Sequence, residues 1–227
     1  MHTEKHFTSS DLIKDIVIGM SDGLTVPFAL AAGLSGAVSS NGIIITAGMA
    51  EIVAGSIAMG LGGYLAGRTE SDHYKSELAR EHDEVERLPD HEMQEVRDVF
   101  MEYGISPALQ DQMALELSRD KKKWVDFMMR FELGMEEPDE KRASKSAFNI
   151  GLSYIIGGIV PLTGYFIAST PHQGLLISSA VTVVLLFVFG YVKTRLTGTK
   201  PLLGALKTVL IGVLAAGAAF YIAKLIS

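Results

Sequence analysis

Apolar runs of membrane-spanning length follow one another along the chain, separated by short polar stretches and interrupted once by a long polar block. Between Ile16 and Gly67 the only charged residues are Asp22 and Glu51, and from Ser146 to Val192 there is none. A helix needs about 20 apolar residues to cross the hydrocarbon layer, so runs of this length exclude an ordinary soluble domain. Glycine, proline and small polar residues divide them into five predicted spans, near Leu12–Val38, Ile43–Gly67, Ala147–Ala168, Leu175–Val192 and Pro201–Ile226.

No proline follows the second span until Pro89, and Tyr64 to Leu88 is rich in helix formers, so this helix is expected to run on to Arg87 as a stalk. From Ile43 that is 45 residues, or roughly 67 Å, more than twice the ~30 Å bilayer core. Beyond it, Pro89 starts a helix that Gly104 ends, Ser106-Pro107 starts another, and Asp120 caps a third reaching Gly134. Met93, Val96, Phe100 and Tyr103 recur at helical spacing, as do Trp124, Phe127 and Phe131, which predicts a small bundle with these on its inner side. The expected fold is an all-α integral membrane protein, five transmembrane helices with a cytoplasmic helical bundle inserted between spans 2 and 3. Its divisions are spans 1 and 2 in residues 1–67, the acidic domain in 68–138 and spans 3 to 5 in 139–227.

Composition agrees with this pattern: 48% of the 227 residues are hydrophobic, 20% are charged, and mean hydropathy is +0.28. The net charge of -6 is unevenly placed, because residues 68–145 hold 21 acidic against 13 basic residues, a net of -8, and the remainder sums to +2. The absence of cysteine excludes disulfide scaffolds, thiolate zinc sites and thiol nucleophiles. No apolar segment with a cleavage site precedes the first span, which is expected to act as the targeting signal itself. The loops at 39–42 and 169–174 contain no Lys or Arg, whereas Lys5, Lys14, the central block, Lys193, Arg195 and Lys200 fall on the opposite side. Loops rich in Lys and Arg stay cytoplasmic, so the N-terminus and the acidic block are expected in the cytosol and the C-terminus across the membrane.

Asp22 and Glu51 each fall roughly 13 to 15 Å deep, near the bilayer middle. Carboxylates there are costly, face a polar interior and usually serve ions or protons; the plain alternative is a protonated acid bonding helix to helix. With no Lys or Arg nearby, a cation is the expected neutralising partner. Glu51, Gly55, Met59, Gly63 and Gly67 recur every fourth residue, placing acid and thioether on one face. That pairing suits a first-row transition ion better than Mg²⁺ or Ca²⁺, although methionine in an apolar helix is ordinarily packing. Two further rows of small residues, Ala29-Gly33-Ala37 and Ala50-Ala54-Ala58-Gly62-Ala66, allow close helix contact within the chain or between two chains. Pro27 and Pro161 lie inside spans, where they line a path or only kink the helix.

In the acidic block, Glu81/Glu84 and Glu92/Glu95 are i, i+3 pairs flanking the Pro89 turn, so two antiparallel helices would bring them together as in carboxylate bundles. Met128 and Glu132, at i, i+4, are candidates to complete such a site, with His73, His82 and His91 as further donors; the alternative is a solvated acidic face. No P-loop, nucleophile elbow or dinucleotide fingerprint is present, and Lys121-Lys122-Lys123 reads as a solvated helix start, not a nucleic-acid patch.

Residues 15–36 (DIVIGMSDGLTVPFALAAGLSG) closely resemble the first span of the vacuolar iron transporter family, which includes the yeast calcium cross-complementer transporters. Ala50-Glu51, Met59 through Leu65, Asp126 through Met129, Phe131 through Gly134 and Gly157 through Leu162 agree as well. The resemblance extends over nearly the whole chain and includes the cytoplasmic metal-binding domain that nodulin-like relatives lack. It implies a homodimeric antiporter moving Fe²⁺, and to some extent Mn²⁺, Co²⁺ or Zn²⁺, out of the cytosol in exchange for protons. Asp22, Glu51 and Met59 would be translocation-path residues, and Glu81, Glu84, Glu92, Glu95, Met128 and Glu132 cytoplasmic metal ligands. A prokaryotic plasma membrane or a vacuolar membrane is the expected location. A membrane-tethered metal buffer or sensor is the first rival, and a di-iron ferroxidase the second. The buffer needs no midplane acids, and the oxidase would usually supply a Glu-x-x-His pair, which neither Glu81 nor Glu92 begins.

Overall fold

A computed structural model describes residues 10–226, so the expected placement of the N-terminus and Lys5 lies outside the described residues. The described chain is helical: α1 (Ser10–Ala37), α2 (Asn41–Arg87), α3 (Pro89–Glu102), α4 (Pro107–Ser118), α5 (Lys121–Phe127), a π-helical turn (Met128–Glu132), α6 (Arg142–Ile167), α7 (Pro171–Leu196) and α8 (Pro201–Ile226). Five of these, α1, α2, α6, α7 and α8, are long and apolar enough to cross a membrane. The protein is therefore an all-α integral membrane protein with three short helices between its second and third spanning helices. The stalk is continuous as predicted, whereas α6 begins at Arg142, five residues before Ala147.

Two compact units result. One comprises α1, α2 as far as Tyr64, and α6–α8; the other is Leu65–Arg142. In the spanning unit, glycines let backbones meet. A methyl group on Gly19 or Gly23 of α1 would run into the backbone of Ile150 or Tyr154 of α6, and one on Gly48 of α2 into Leu162 of α6. Lipid tails are as apolar as leucine, so such close fit rather than water exclusion is what holds spanning helices together. Helix α8 packs on α1 and α7, with Gly33 against Ala219 and Gly190 against Thr208 and Ala205. Ala31, Ile44, Ile52, Leu162 and Tyr165 form the buried centre, while Ile57, Leu61, Val184, Val188, Leu206, Leu210 and Leu214 are exposed as a lipid-facing surface requires. The two small-residue rows part company here: Gly33 is buried against α8, whereas Ala50, Ala54, Ala58, Gly62 and Ala66 are all exposed.

The second unit closes around Val85, Val96, Ala114, Trp124, Val125, Met128 and Met129. Burying each of the larger side chains contributes about 1.5–3 kcal/mol. Two residues of the predicted inner faces lie outside it. Tyr103 is 73% exposed because Gly104 (φ 74°) turns the chain away, and Phe131 is 55% exposed, stacked on Phe127 at 4.9 Å between ring centres. Asp120 caps α5 by accepting from the Lys123 amide at 3.3 Å, whereas Ser106 makes no side-chain cap before Pro107. The single helix predicted from Asp120 to Gly134 is instead α5 followed by the widened turn, marked by Leu133 N donating to Met128 O at 3.1 Å. Such π-turns insert one residue into a helix and recur at functional sites.

Candidate ion path and carboxylate cluster

Asp22 lies midway along α1, Tyr154 midway along α6, and Glu51 ten residues into α2. The Tyr154 hydroxyl donates to Glu51 Oε1, while Glu51 Oε2 is buried without a hydrogen-bond partner. Two glycines make room for the tyrosine: Gly55, one turn from Glu51, leaves the space its ring occupies, and Gly23, beside Asp22, meets its backbone. Asp22 adjoins Gly23, which abuts the Tyr154 backbone, so both acids lie at the level of one tyrosine of a third helix. A buried carboxylate oxygen left without a donor is costly and rare, and it marks a place where a proton or a cation completes the coordination.

Met59 is half-buried on the same face of α2, between Gly55, which abuts Tyr154, and Gly63, which abuts Ile150 and Ser146 of α6. Its eight-residue offset from Glu51 is roughly 12 Å of helix, which makes it a neighbour along the face. Two turns from Asp22, toward the start of α1, Asp15 is buried and accepts from Ser146 Oγ at 2.9 Å and from Asn149 Nδ2 at 3.4 Å. Pro27 and Pro161 are buried in helices that run through them.

In the second unit, Glu81 at the end of α2 and Glu92 at the start of α3 are each only 2% exposed, with Glu84 and Glu95 half-buried beside them. Desolvation pushes the Glu92 carboxyl up to about 8, helped by Glu95, Glu81, Glu84 and Glu132. Glu132 is the exposed member by surface area, yet loss of hydration, then Glu95 and Glu81, push its carboxyl up to about 7. Glu81 is raised by burial as well, against the lowering effect of Arg80. Five predicted acids therefore share one field, and one oxygen each of Glu81 and Glu92 is buried without a partner.

Arg80 partly offsets this charge, reaching Glu77 at 2.8 Å, Glu84 at 3.3 Å and Glu81 at 3.4 Å. His91 Nδ1 is 3.4 Å from Glu95, and His91, Glu92 and Glu95 offer donor atoms within 4.8 Å of one another. His73 pairs with Glu77 at 3.8 Å, and His82 is exposed. Met128 is fully buried among the apolar residues of this unit.

Tyr154 and Arg80 were not singled out by sequence reasoning. A tyrosine within a charge-free span is itself a signal, since its hydroxyl needs a partner away from water. Asp15 was legible in the same way, seven residues before Asp22 and so on the same side of α1.

Spanning helices that place two acids at the level of one buried tyrosine, together with a carboxylate cluster in the other unit, define an ion transporter. The model of the VIT family matches residues 13–224, and the chain belongs to that family. It is 51% identical over 223 residues to "Vacuolar iron transporter 1" of Oryza sativa subsp. japonica, covering 98% of this chain and 88% of that one. To "Vacuolar iron transporter 1" of Arabidopsis thaliana it is 50% identical, covering 99% and 90%. To "Protein CCC1" of Saccharomyces cerevisiae it is 41% identical over 225 residues, covering 95% and 69%. The family read from the residues of the first span is thus borne out.

Proposed function

We propose that this protein is a secondary transporter that moves Fe²⁺ out of the cytosol in exchange for protons, with Mn²⁺, Co²⁺ and Zn²⁺ as lesser cargo. The observation that carries the exchange is the buried, unpartnered Oε2 of Glu51, whose other oxygen is held by Tyr154. A carboxylate so placed takes a proton or a cation on its free oxygen, and the two compete for it. Asp22, at the level of the same tyrosine, supplies the second negative charge that a divalent ion needs. Met59 offers a thioether farther along the α6-facing side of α2, which favours Fe²⁺ over harder ions. The names of the plant relatives support iron as the cargo and a vacuolar membrane as the location, and a prokaryotic plasma membrane is the other setting compatible with this chemistry.

The acidic unit, residues 68–138, faces the cytosol in this reading and collects metal. Glu81, Glu84, Glu92, Glu95 and Glu132 supply hard oxygen ligands and Met128 a soft one, with metal displacing the bound protons and relieving Arg80. The working form is a homodimer.

Asp22→Asn and Glu51→Gln test the assignment in proteoliposomes. Each should insert and fold, because a neutral amide avoids burying charge, and each should block Fe²⁺ uptake. Uptake by both variants at the parental rate would place the path elsewhere.

A further inference from the structure

The turn between α7 and α8 borders an open cavity of about 580 Å³, far from the acids of the ion path in sequence and built from different chemistry. Lys193, Thr194 and Thr197 wall it from the end of α7, Thr199 and Lys200 from the turn, and Lys207 and Thr208 from the first turns of α8. Gly198 (φ 72°) reverses the chain, and Gly204 lets α8 approach Thr194 so closely that a methyl group there would collide with it.

Three observations define the ligand. First, the cavity is cationic and no carboxylate compensates it, Lys193 Nζ lying 5.7 Å over the Phe189 ring. Beyond Glu140 the chain has no Asp or Glu, and among the described residues none of Lys193, Arg195, Lys200 and Lys207 has an ion pair. Second, its hydroxyl donors are already engaged. Thr194 donates to Gly190 O at 2.6 Å, Thr208 to Gly204 O at 2.9 Å and Thr197 to Thr194 O at 3.1 Å, so the ammonium groups are the donors left for a ligand. A ligand met mainly by ammonium donors is an anion.

Third, the cavity is amphipathic and lies at the membrane edge. Pro171 to Val192 is 22 residues, roughly 33 Å of helix, about the thickness of the hydrocarbon core, which puts Lys193 at its boundary. Ile211 lines the deeper part and Leu203 the part nearer the turn, and the flanking Leu196, Leu202 and Leu206 are exposed. Lys207, three residues past the Gly204 that abuts Thr194, starts roughly 3–5 Å inside that boundary and reaches the same cavity by extending its stem toward the headgroups.

From this geometry we infer that the α7–α8 turn is a binding site for the phosphate headgroup of an anionic phospholipid, with its acyl chains along Leu203 and Ile211. A free phosphate would satisfy the lysines and leave the apolar part of the cavity without a partner, so the phosphodiester of a lipid is the fitting source.

The test uses the full chain purified in detergent, with phosphatidylglycerol or phosphatidylcholine titrated in and bound lipid counted by native mass spectrometry. Phosphatidylglycerol should bind in preference to phosphatidylcholine. Lys193→Gln/Lys200→Gln/Lys207→Gln should weaken its binding on the order of a hundredfold, at about fivefold per lysine. The Arg version of the same triple substitution should keep it. Lys121→Gln/Lys122→Gln/Lys123→Gln removes equal charge from the other unit and should change nothing. Equal loss in both Gln triples would mean unspecific attraction and overturn the site, as would undiminished binding in the first. Displacement of phosphatidylglycerol by millimolar inorganic phosphate would show a free-phosphate site and overturn the lipid assignment.

Discussion

Metal binding to the carboxylate cluster should release protons, in a number that follows from the two raised carboxyls. With Glu92 at about 8 and Glu132 at about 7, the empty cluster at pH 7 holds a proton on about nine-tenths of Glu92 and about half of Glu132. A divalent ion needs both ionised, so these two release about 1.4 protons per metal at pH 7, about 1.9 at pH 6 and about 0.1 at pH 9. Affinity consequently rises with pH across that window and levels off above Glu92's value. The assay is calorimetric titration with Zn²⁺ in buffers of different ionisation heat. Carrying Asp22→Asn and Glu51→Gln in the full chain leaves the cluster as the site measured. Adding Glu92→Gln should cut the release at pH 7 to about half a proton. A release near zero at pH 7, or one that Glu92→Gln leaves unchanged, would refute a cluster kept neutral by burial and mutual repulsion.

Further outcomes follow from the same structure. Because the folded Glu92 value lies above its ordinary 4.5, its contribution to stability is complete below about 4.5 and is lost as pH rises through about 8. The metal-free protein should therefore melt at lower temperature at pH 9 than at pH 5 by circular dichroism, and Zn²⁺ or Glu92→Gln should reduce the difference. The chain has no cysteine, so Leu109→Cys and Gln173→Cys report topology cleanly. A membrane-impermeant thiol reagent on the cytosolic side should label Leu109→Cys and not Gln173→Cys, and the reverse pattern would invert the proposed orientation. Tyr154→Phe keeps the ring beside Gly55 but removes the donor to Glu51, so Fe²⁺ affinity in uptake assays should change by about tenfold or more while insertion is unaffected. Met59→Leu keeps the volume and should erode preference for Fe²⁺ over Mg²⁺ more than it slows uptake.

The architecture was written in the sequence wherever one local rule decided it. Charge-free runs marked the spans, and the lack of proline before Pro89 marked the 47-residue α2. The i, i+3 spacing of Glu81/Glu84 and Glu92/Glu95 placed each pair on one face, and the structure brings both pairs into one electrostatic field with Glu132. What periodicity could not reach depends on contacts between elements. Tyr154 meets Glu51 only because Gly55 and Gly23 draw three helices together at one level. The π-turn at Met128–Glu132 leaves no mark in a pattern of apolar residues, since it shifts a hydrogen-bond register that packing imposes. Tyr103 and Phe131 fit helical spacing yet lie outside the core because each sits at an element's end, next to Gly104 or inside the widened turn. Arg80's three-carboxylate contact is likewise a product of the cluster, although its i, i+4 spacing to Glu84 was visible.

In the proposed exchange, one membrane-buried carboxylate pair trades Fe²⁺ for protons. Its most direct measurement is simultaneous recording of Fe²⁺ entry and internal pH in proteoliposomes carrying an entrapped metal dye and a pH dye. Exchange predicts that Fe²⁺ influx drives proton efflux, that a vesicle interior more acidic than the outside accelerates entry, and that both signals vanish together in Asp22→Asn and in Glu51→Gln. Fe²⁺ entry that persists in both variants, or that proceeds in the parent without any proton signal, would contradict it.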